Sequence, residues 1–332
     1  MTMSSDFPVA PKSTGFHRWR DYALLSGLFL LVLAGLASLA AATGWDETLT
    51  QLRKLSLLEV SILLALSLVN YLFRAVRWHA FTRCLGIGTH LAQNVRHFLG
   101  GFAMSVTPGR VGELIRMRWI KRETGWSFER TAPLVLVDRA SDLAAMALIL
   151  AVGLLFSGAM IRFAIPVTLL AFAGAVLVTR PALLSVSAGL FYHSTGLFPR
   201  LMARVRRAAR SLKAFSRADI LTLATILGLI GWLAEGYAFW LLLTWMDANI
   251  SFWLAVLIFV FSTLAGGLTG APGGIGGAEA AMVGLLLLEG IPLEVALPAT
   301  AVIRLTTLWF AILIGLGIFP YAEAKSNAKG AT

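Results

Sequence analysis

SVTPGRVGELIRMRWIKRETGWSFERTAPLVLVDRASD, residues 105–142, decides how this chain is read. A break at Pro108 and Gly109 is followed by Gly112 and Glu113, and 26 residues after Glu113 an arginine, Arg139, lies inside an apolar segment. Residues 269–306, TGAPGGIGGAEAAMVGLLLLEGIPLEVALPATAVIRLT, repeat the arrangement. Pro108 and Gly109 match Pro272 and Gly273, Gly112 and Glu113 loosely match Gly277 and Glu279, Gly125 matches Gly290, and Arg139 matches Arg304. Pro108 and Arg139 are 31 positions apart, and Pro272 and Arg304 are 32. A motif repeated at such spacing in an apolar chain marks an internal structural repeat.

The surrounding composition supplies the solvent. Of 332 residues, 58% are apolar and 14% are charged, whereas soluble domains carry about a quarter charged residues. Several apolar runs reach the roughly 20 residues that a helix needs to cross a hydrocarbon core of about 30 Å. The expected class is therefore an all-α, polytopic membrane protein. The single cysteine, Cys84, excludes an intramolecular disulfide and a cysteine-built metal cluster. A net charge of +11 is accounted for by basic loops beside spans and anionic lipid head groups, not by nucleic acid.

Taken in order, residues 1–21 form a polar, basic cytoplasmic tail, and residues 22–320 a single transmembrane domain. The first span covers residues 22–43; a cleaved signal peptide competes, but the apolar region exceeds the usual h-region of 7–15 residues. The second span covers 57–73 and ends in Arg74, Arg77 and Trp78 on the cytoplasmic side. Residues 91–122 read as a re-entrant helical hairpin from the cytoplasm, because its second leg carries Arg116, Arg118, Lys121 and Arg122. Spans over 131–156 and 163–178 follow. The loop 180–218 holds eight basic residues uninterrupted by acids between Arg180 and Arg217, which places it in the cytoplasm. A fifth span covers 219–246, a second hairpin occupies 251–288, and a sixth span covers 298–320, before a cytoplasmic tail at 321–332. The expected topology is six spans and two re-entrant hairpins. Repeat 1 (about 55–156) and repeat 2 (about 219–320) are inverted relative to each other, as in many alternating-access transporters.

Two broken helices meeting near the midplane would each present a half-helix N-terminus, near Val111 and Ala278, to an anion. Pro108, Gly109, Arg110, Gly112, Glu113 and Arg116 in the first hairpin, and Pro272, Gly273, Gly274, Gly276, Gly277 and Glu279 in the second, are the candidate binding residues there. The glycines also suit helix packing alone. Charges inside spans are the sharper signal: Asp138, Arg139, Asp142, Glu235 and Arg304. A central charge costs about 2.5–3.5 kcal/mol, so it pairs or faces a cavity. Structural pairing of Arg139 with Asp142, or of Glu279 with Arg304, competes with contact to an anionic substrate, for which the arginine fork is suited. The five histidines lack metal-ligand spacing, and no nucleophile triad or HExxH pattern is present. No catalytic residue, metal or cofactor is expected. His97 reads as a packing residue, and tryptophans such as Trp45, Trp78, Trp245 and Trp253 as interfacial anchors.

TPGRVGELIR, VDRASD and PGGIGGAE with its downstream arginine resemble the flippase-like transmembrane domain of bacterial lysylphosphatidylglycerol synthases, over about residues 20–320. The resemblance implies movement of a lipid between leaflets of a bacterial inner membrane. The soluble domain that makes the lipid has no counterpart here, so the implied activity is translocation without synthesis. The family pattern commonly has Glu before the span-three arginine, where this chain has Asp138. The implied partners are membrane lipids with anionic head groups: a phospholipid or a lipid-linked glycan. A scaffold docking a lipid-modifying enzyme or glycosyltransferase, and an intramembrane lipid-modifying enzyme, are the competing readings.

Overall fold

The computed structural model describes Leu30, Thr50 and residues 53–105, 111–156, 164–180, 182–183, 185–187, 189–190 and 212–330. Apart from Leu30, the expected N-terminal tail and first span lie outside these residues, as do most of the arginine-rich loop and Pro108, Gly109 and Arg110.

Helix α1, Leu57–Cys84, opens on a reciprocal cap. The Glu59 carboxylate accepts from the Ser56 backbone N–H at 2.7 Å, and the Ser56 hydroxyl accepts from the Glu59 N–H. Two donors that a helix start leaves open are thereby satisfied, which gives Glu59 a capping role. Helix α2, Leu91–Gly100, runs into a 3-10 turn, Gly101–Met104, and α3, Val111–Thr124, follows. Next come α4, Phe128–Phe156, and α5, Ala164–Thr179. The second half holds α6, Ala218–Trp245, α7, Phe252–Leu268, a 3-10 turn at Pro272–Gly274, and α8, Gly277–Leu288. Helix α9, Leu293–Arg304, passes through a π turn, Leu305–Trp309, into α10, Phe310–Gly330. The described elements are all helical.

Among the described residues, four stretches are long and apolar enough to cross a membrane: α1, α4, α6 and the run Leu293–Ala328. At 1.5 Å per residue the 28-residue α1 is about 42 Å long, more than the hydrocarbon core requires. Polarity is arranged inside out. Leu58, Leu155, Leu169, Leu170, Phe172 and Leu313 face outward, while Arg77, Asp138, Asp142 and Glu235 are buried. In lipid this is the favourable arrangement, because apolar side chains lose nothing outside and charges must find partners within.

Helix α1 lies along α6, and α4 packs on α5, α6 and α7. Helices α2 and α3 form an antiparallel pair. Gln93 and Arg96 near the start of α2 bond Glu123 near the end of α3, and a Cβ on Gly100 would meet Trp119 at 3.1 Å. Helices α7 and α8 form the second such pair, with Gly266 closing on Ala278 and Gly274 across the turn.

Several boundaries differ from the sequence reading. Helix α1 does not stop at Phe73 but continues eleven residues further, to Cys84. Arg74 and Arg77 are therefore not cytoplasmic flanks; they are buried in the bundle, because α4 offers them two carboxylates. Trp78 is fully buried rather than an interfacial anchor, with the Arg116 guanidinium 5.4 Å from its ring. The last helix runs through Pro320 to Gly330, and Glu323 ties it to α3 through Arg122 at 2.7 Å and Trp119 Nε1 at 2.8 Å.

A candidate anion site between two helix pairs

The centre of the bundle is a network of ionic side chains from α1 and α4. Arg74 and Arg77 are one helical turn apart on α1, and Asp138 and Asp142 are one turn apart on α4, so the two stripes face each other. Arg77 Nη2 donates to Asp138 Oδ1 at 2.6 Å and to Asp142 Oδ1 at 2.7 Å. Arg74 Nη2 donates to Asp142 Oδ2 at 2.8 Å. Arg139 Nη2 donates to Asp138 Oδ2 at 3.0 Å and lies 3.3 Å from Asp142 Oδ2. Trp232 Nε1 of α6 adds a fourth donor to Asp142, at 3.3 Å. Three guanidinium groups thus hold two carboxylates, and the surplus charge is positive.

The α7–α8 region holds its buried charge through its loop. Gly273, Gly274 and Gly276 have φ of 64°, 69° and 82°, a left-handed conformation that costs glycine little and other residues considerably more. That explains the run of glycines. Glu279, in the first turn of α8, accepts from the Gly276 N–H at 2.7 Å and from Arg304 Nε at 2.6 Å. Arg304 Nη2 donates to the Gly273 carbonyl at 3.0 Å. Arg304 therefore stitches the loop shut. Arg304→Gln is expected to loosen the α7–α8 pair by about 1–3 kcal/mol, the usual cost of stranding a buried partner. Hydrogen exchange should accelerate across residues 270–280 while α4 stays protected; unchanged exchange there would refute the stitching role.

A π turn is often found at functional sites. Here it follows Arg304 and leaves the Thr307 carbonyl to accept from the Tyr71 hydroxyl of α1.

Between these features lies a cavity of about 180 Å³. Its wall takes Gly101, Phe102, Ser105 and Arg116 from the first hairpin region, and Thr263, Gly267, Gly273 and Gly274 from the second. Arg74, Arg139, Glu235 and Arg304 line it from the long helices, with Tyr71 and Trp232 beside them. Arg116 is fixed by packing: its guanidinium stands 4.0 Å from the Phe98 ring centroid, and a Cβ on Gly101 would fall 2.5 Å from its Nε. Guanidinium over an aromatic face is a favourable arrangement.

Six of the residues singled out from sequence meet at this cavity: Arg116, Arg139, Glu235, Gly273, Gly274 and Arg304. Asp138 and Asp142 stand behind its wall, where they orient the arginines. Glu279 holds Arg304 from the loop side, and Gly276 and Gly277 shape the start of α8. Pro272 opens the 3-10 turn. Gly112 and Glu113 lie in the first turn of α3. Both sequence-stated ion pairs, Arg139 with Asp142 and Arg304 with Glu279, are formed. Arg74, Tyr71 and Trp232 were missed. The signal was present in the apolar positions Ala75, Trp78 and Phe81, which continue the helix past Arg74 and Arg77 and put both inside it.

At the far end of the first hairpin, His97 and Arg96 hold Glu123, at 3.1 and 2.5 Å. Burial disfavours that carboxylate, but His97, Arg96 and Gln93 outweigh it and keep its pKa below the usual carboxylate range. His97 is thus a buried residue, bonded to Glu123 through Nε2 and away from the cavity wall.

Known proteins are similar to this sequence. A UPF0104 membrane protein of Methanothermobacter thermautotrophicus is 24% identical over 329 residues, covering 90% of this chain and 97% of the relative. A second match to a UPF0104 membrane protein of that organism is 29% identical over 119 residues, 36% of each chain. One from Methanocaldococcus jannaschii is 27% identical over 231 residues, 67% of this chain and 94% of the relative. Residues 23–315 match the family model described as the lysylphosphatidylglycerol synthase TM region, so the chain is a membrane protein belonging to that family.

Proposed function

We propose that the chain moves a lipid with an anionic, phosphate-bearing head group between the leaflets of a bacterial inner membrane. The head group occupies the central cavity while the acyl chains stay in the bilayer. One observation carries the reading: residues of both helix pairs and four arginines, Arg74, Arg116, Arg139 and Arg304, line the same cavity. Guanidinium groups match phosphate oxygens in number and geometry. Helix length supports a re-entrant course for both pairs. At 1.5 Å per residue, α2 is about 15 Å long, α3 about 21 Å and α8 about 18 Å, each short of the core thickness. Each pair enters and returns on one side, and the two enter from opposite faces. Irregular backbone such as residues 270–276 is tolerated at that depth because it borders a cavity.

Arg139 is the arginine to test, since its side chain is 28% exposed toward the cavity while its partners Asp138 and Asp142 keep other donors. Arg139→Gln is expected to slow translocation of an acyl-labelled anionic phospholipid in proteoliposomes at least tenfold, without loss of membrane insertion. Wild-type speed in that variant would remove the assignment. The same vesicles separate the competing readings: a chemically altered lipid marks an enzyme, and no movement with no alteration marks a scaffold.

A further inference from the structure

Glu235 is the charge that the network leaves over. It sits midway along α6, whose other charged residue, Asp219, lies in the first turn, and is 5% exposed. Among the described residues it is the one acidic side chain that lines the cavity. The other carboxyls of the centre are engaged: Asp138 and Asp142 by Arg74, Arg77 and Arg139, and Glu279 by Arg304 and Gly276. Glu235 makes no hydrogen bond and no ion pair within 4.0 Å to any described residue. Its charged and titratable neighbours are Tyr71 and Arg74 on α1, Asp142 and Arg139 on α4, and Arg304 on α9. Helix α7 faces the cavity with Phe259 and Thr263, which do not titrate there.

We propose that Glu235 is a proton-binding site of the transport cycle, so that the phosphate-bearing head group crosses together with a proton held on this carboxyl. The inference rests on the translocation reading and adds its energy coupling. Five arginines (Arg74, Arg77, Arg116, Arg139 and Arg304) face four carboxyl groups (Asp138, Asp142, Glu235 and Glu279). The centre carries one net positive charge when all four are ionised and two when Glu235 is protonated. A phosphate entering the cavity draws Arg74 and Arg304 toward its own oxygens. It also sets a second negative charge near the Glu235 carboxylate in a medium of low polarity. Both effects favour the protonated acid. Anion binding and protonation therefore assist each other, and the assistance is reciprocal. The proton comes from cavity water on the side where the head group enters and returns to water on the other side. Anion plus proton crosses without net charge, which removes the opposition of the membrane potential to an anionic head group.

Two measurements on the full chain test this. The first is proton uptake in weakly buffered detergent solution, read with an indicator dye. A short-chain phosphatidylglycerol should bind with uptake of close to one proton, and Glu235→Gln should bind it with none. Inorganic phosphate is run in parallel. Equal uptake with phosphate alone would assign the coupling to the free anion and overturn the lipid form of the proposal. Binding by the wild type without uptake overturns the proposal outright. The second uses proteoliposomes with the potential clamped at zero and an imposed pH gradient. With one proton per lipid, a gradient of about one unit should hold an acyl-labelled phosphatidylglycerol at up to about tenfold leaflet asymmetry. Wild-type vesicles that only equalise the leaflets reject the coupling while leaving translocation standing. Vesicles that move no lipid reject the translocation reading itself. Should Glu235→Gln fail to accumulate in membranes, Glu235→Asp keeps the carboxyl, and retained uptake there is the expected result.

Discussion

Arg77→Met is expected to be among the most destabilising single changes in the described part of the chain. Arg77 has no exposed surface and supplies the shortest contact to Asp138, at 2.6 Å, as well as a bond to Asp142 at 2.7 Å. Its loss leaves Asp138 with Arg139 alone and Asp142 with Arg74, Arg139 and Trp232. Two carboxylates one helical turn apart would then repel each other with less positive charge between them. Breaking a buried pair from one side costs about 3–5 kcal/mol. At about 2–4 °C per kcal/mol for a chain of this size, the thermal midpoint in detergent should fall by roughly 10 °C. Adding Asp138→Asn removes the stranded charge, so the double variant should recover part of the loss. An unchanged midpoint in Arg77→Met would show that the network does not hold α1 to α4.

The second large effect is steric. A Cβ at Gly315 would lie 2.2 Å from the Ala103 backbone nitrogen and 2.7 Å from the Phe102 carbonyl carbon. Both are main-chain atoms of the 3-10 turn that ends the first leg of the first hairpin, so no side-chain rotation can relieve the clash. Helix α10 and the turn must separate, and Phe102 leaves the cavity wall with the turn. Overpacking of this kind costs about 1–3 kcal/mol or more. Gly315→Ala should lower the thermal midpoint and impair lipid movement together. Gly317, two residues on in the same helix, has nothing within 4 Å of its Cβ position. Gly317→Ala should be neutral or slightly stabilising, since alanine exceeds glycine in helix propensity by about 1 kcal/mol. Equal behaviour of the two variants would contradict the close approach.

Much of the fold was legible because the lipid environment imposes simple rules on the chain. The apolar runs at 131–156 and 219–246 predicted helices that the structure places at Phe128–Phe156 and Ala218–Trp245. The Pro-Gly break at Pro272 and Gly273 located the second interruption, with a new helix starting at Gly277. The arginines matched across the repeats, Arg139 and Arg304, line the same cavity. Arg74, Arg77 and Trp78 show where the rules mislead. A basic pair after an apolar run has the composition of a cytoplasmic flank, and a tryptophan beside it that of an anchor.

The sequence by itself determined the membrane class, the family and most of the charged residues that the structure buries or sets at the cavity. These depend on local composition and on spacing along the chain. Only the tertiary structure decided which residues of 111–142 and 269–306 come together. A sequence shows that a charge is present inside a helix but not which charge on another helix answers it. Asp138 and Asp142 became orienting groups once α1 was seen to bring Arg74 and Arg77 across to them. Arg304 became a loop stitch, and Glu235 a cavity acid without a bonded partner among the described residues, because ion pairing and cavity shape are long-range properties of packing.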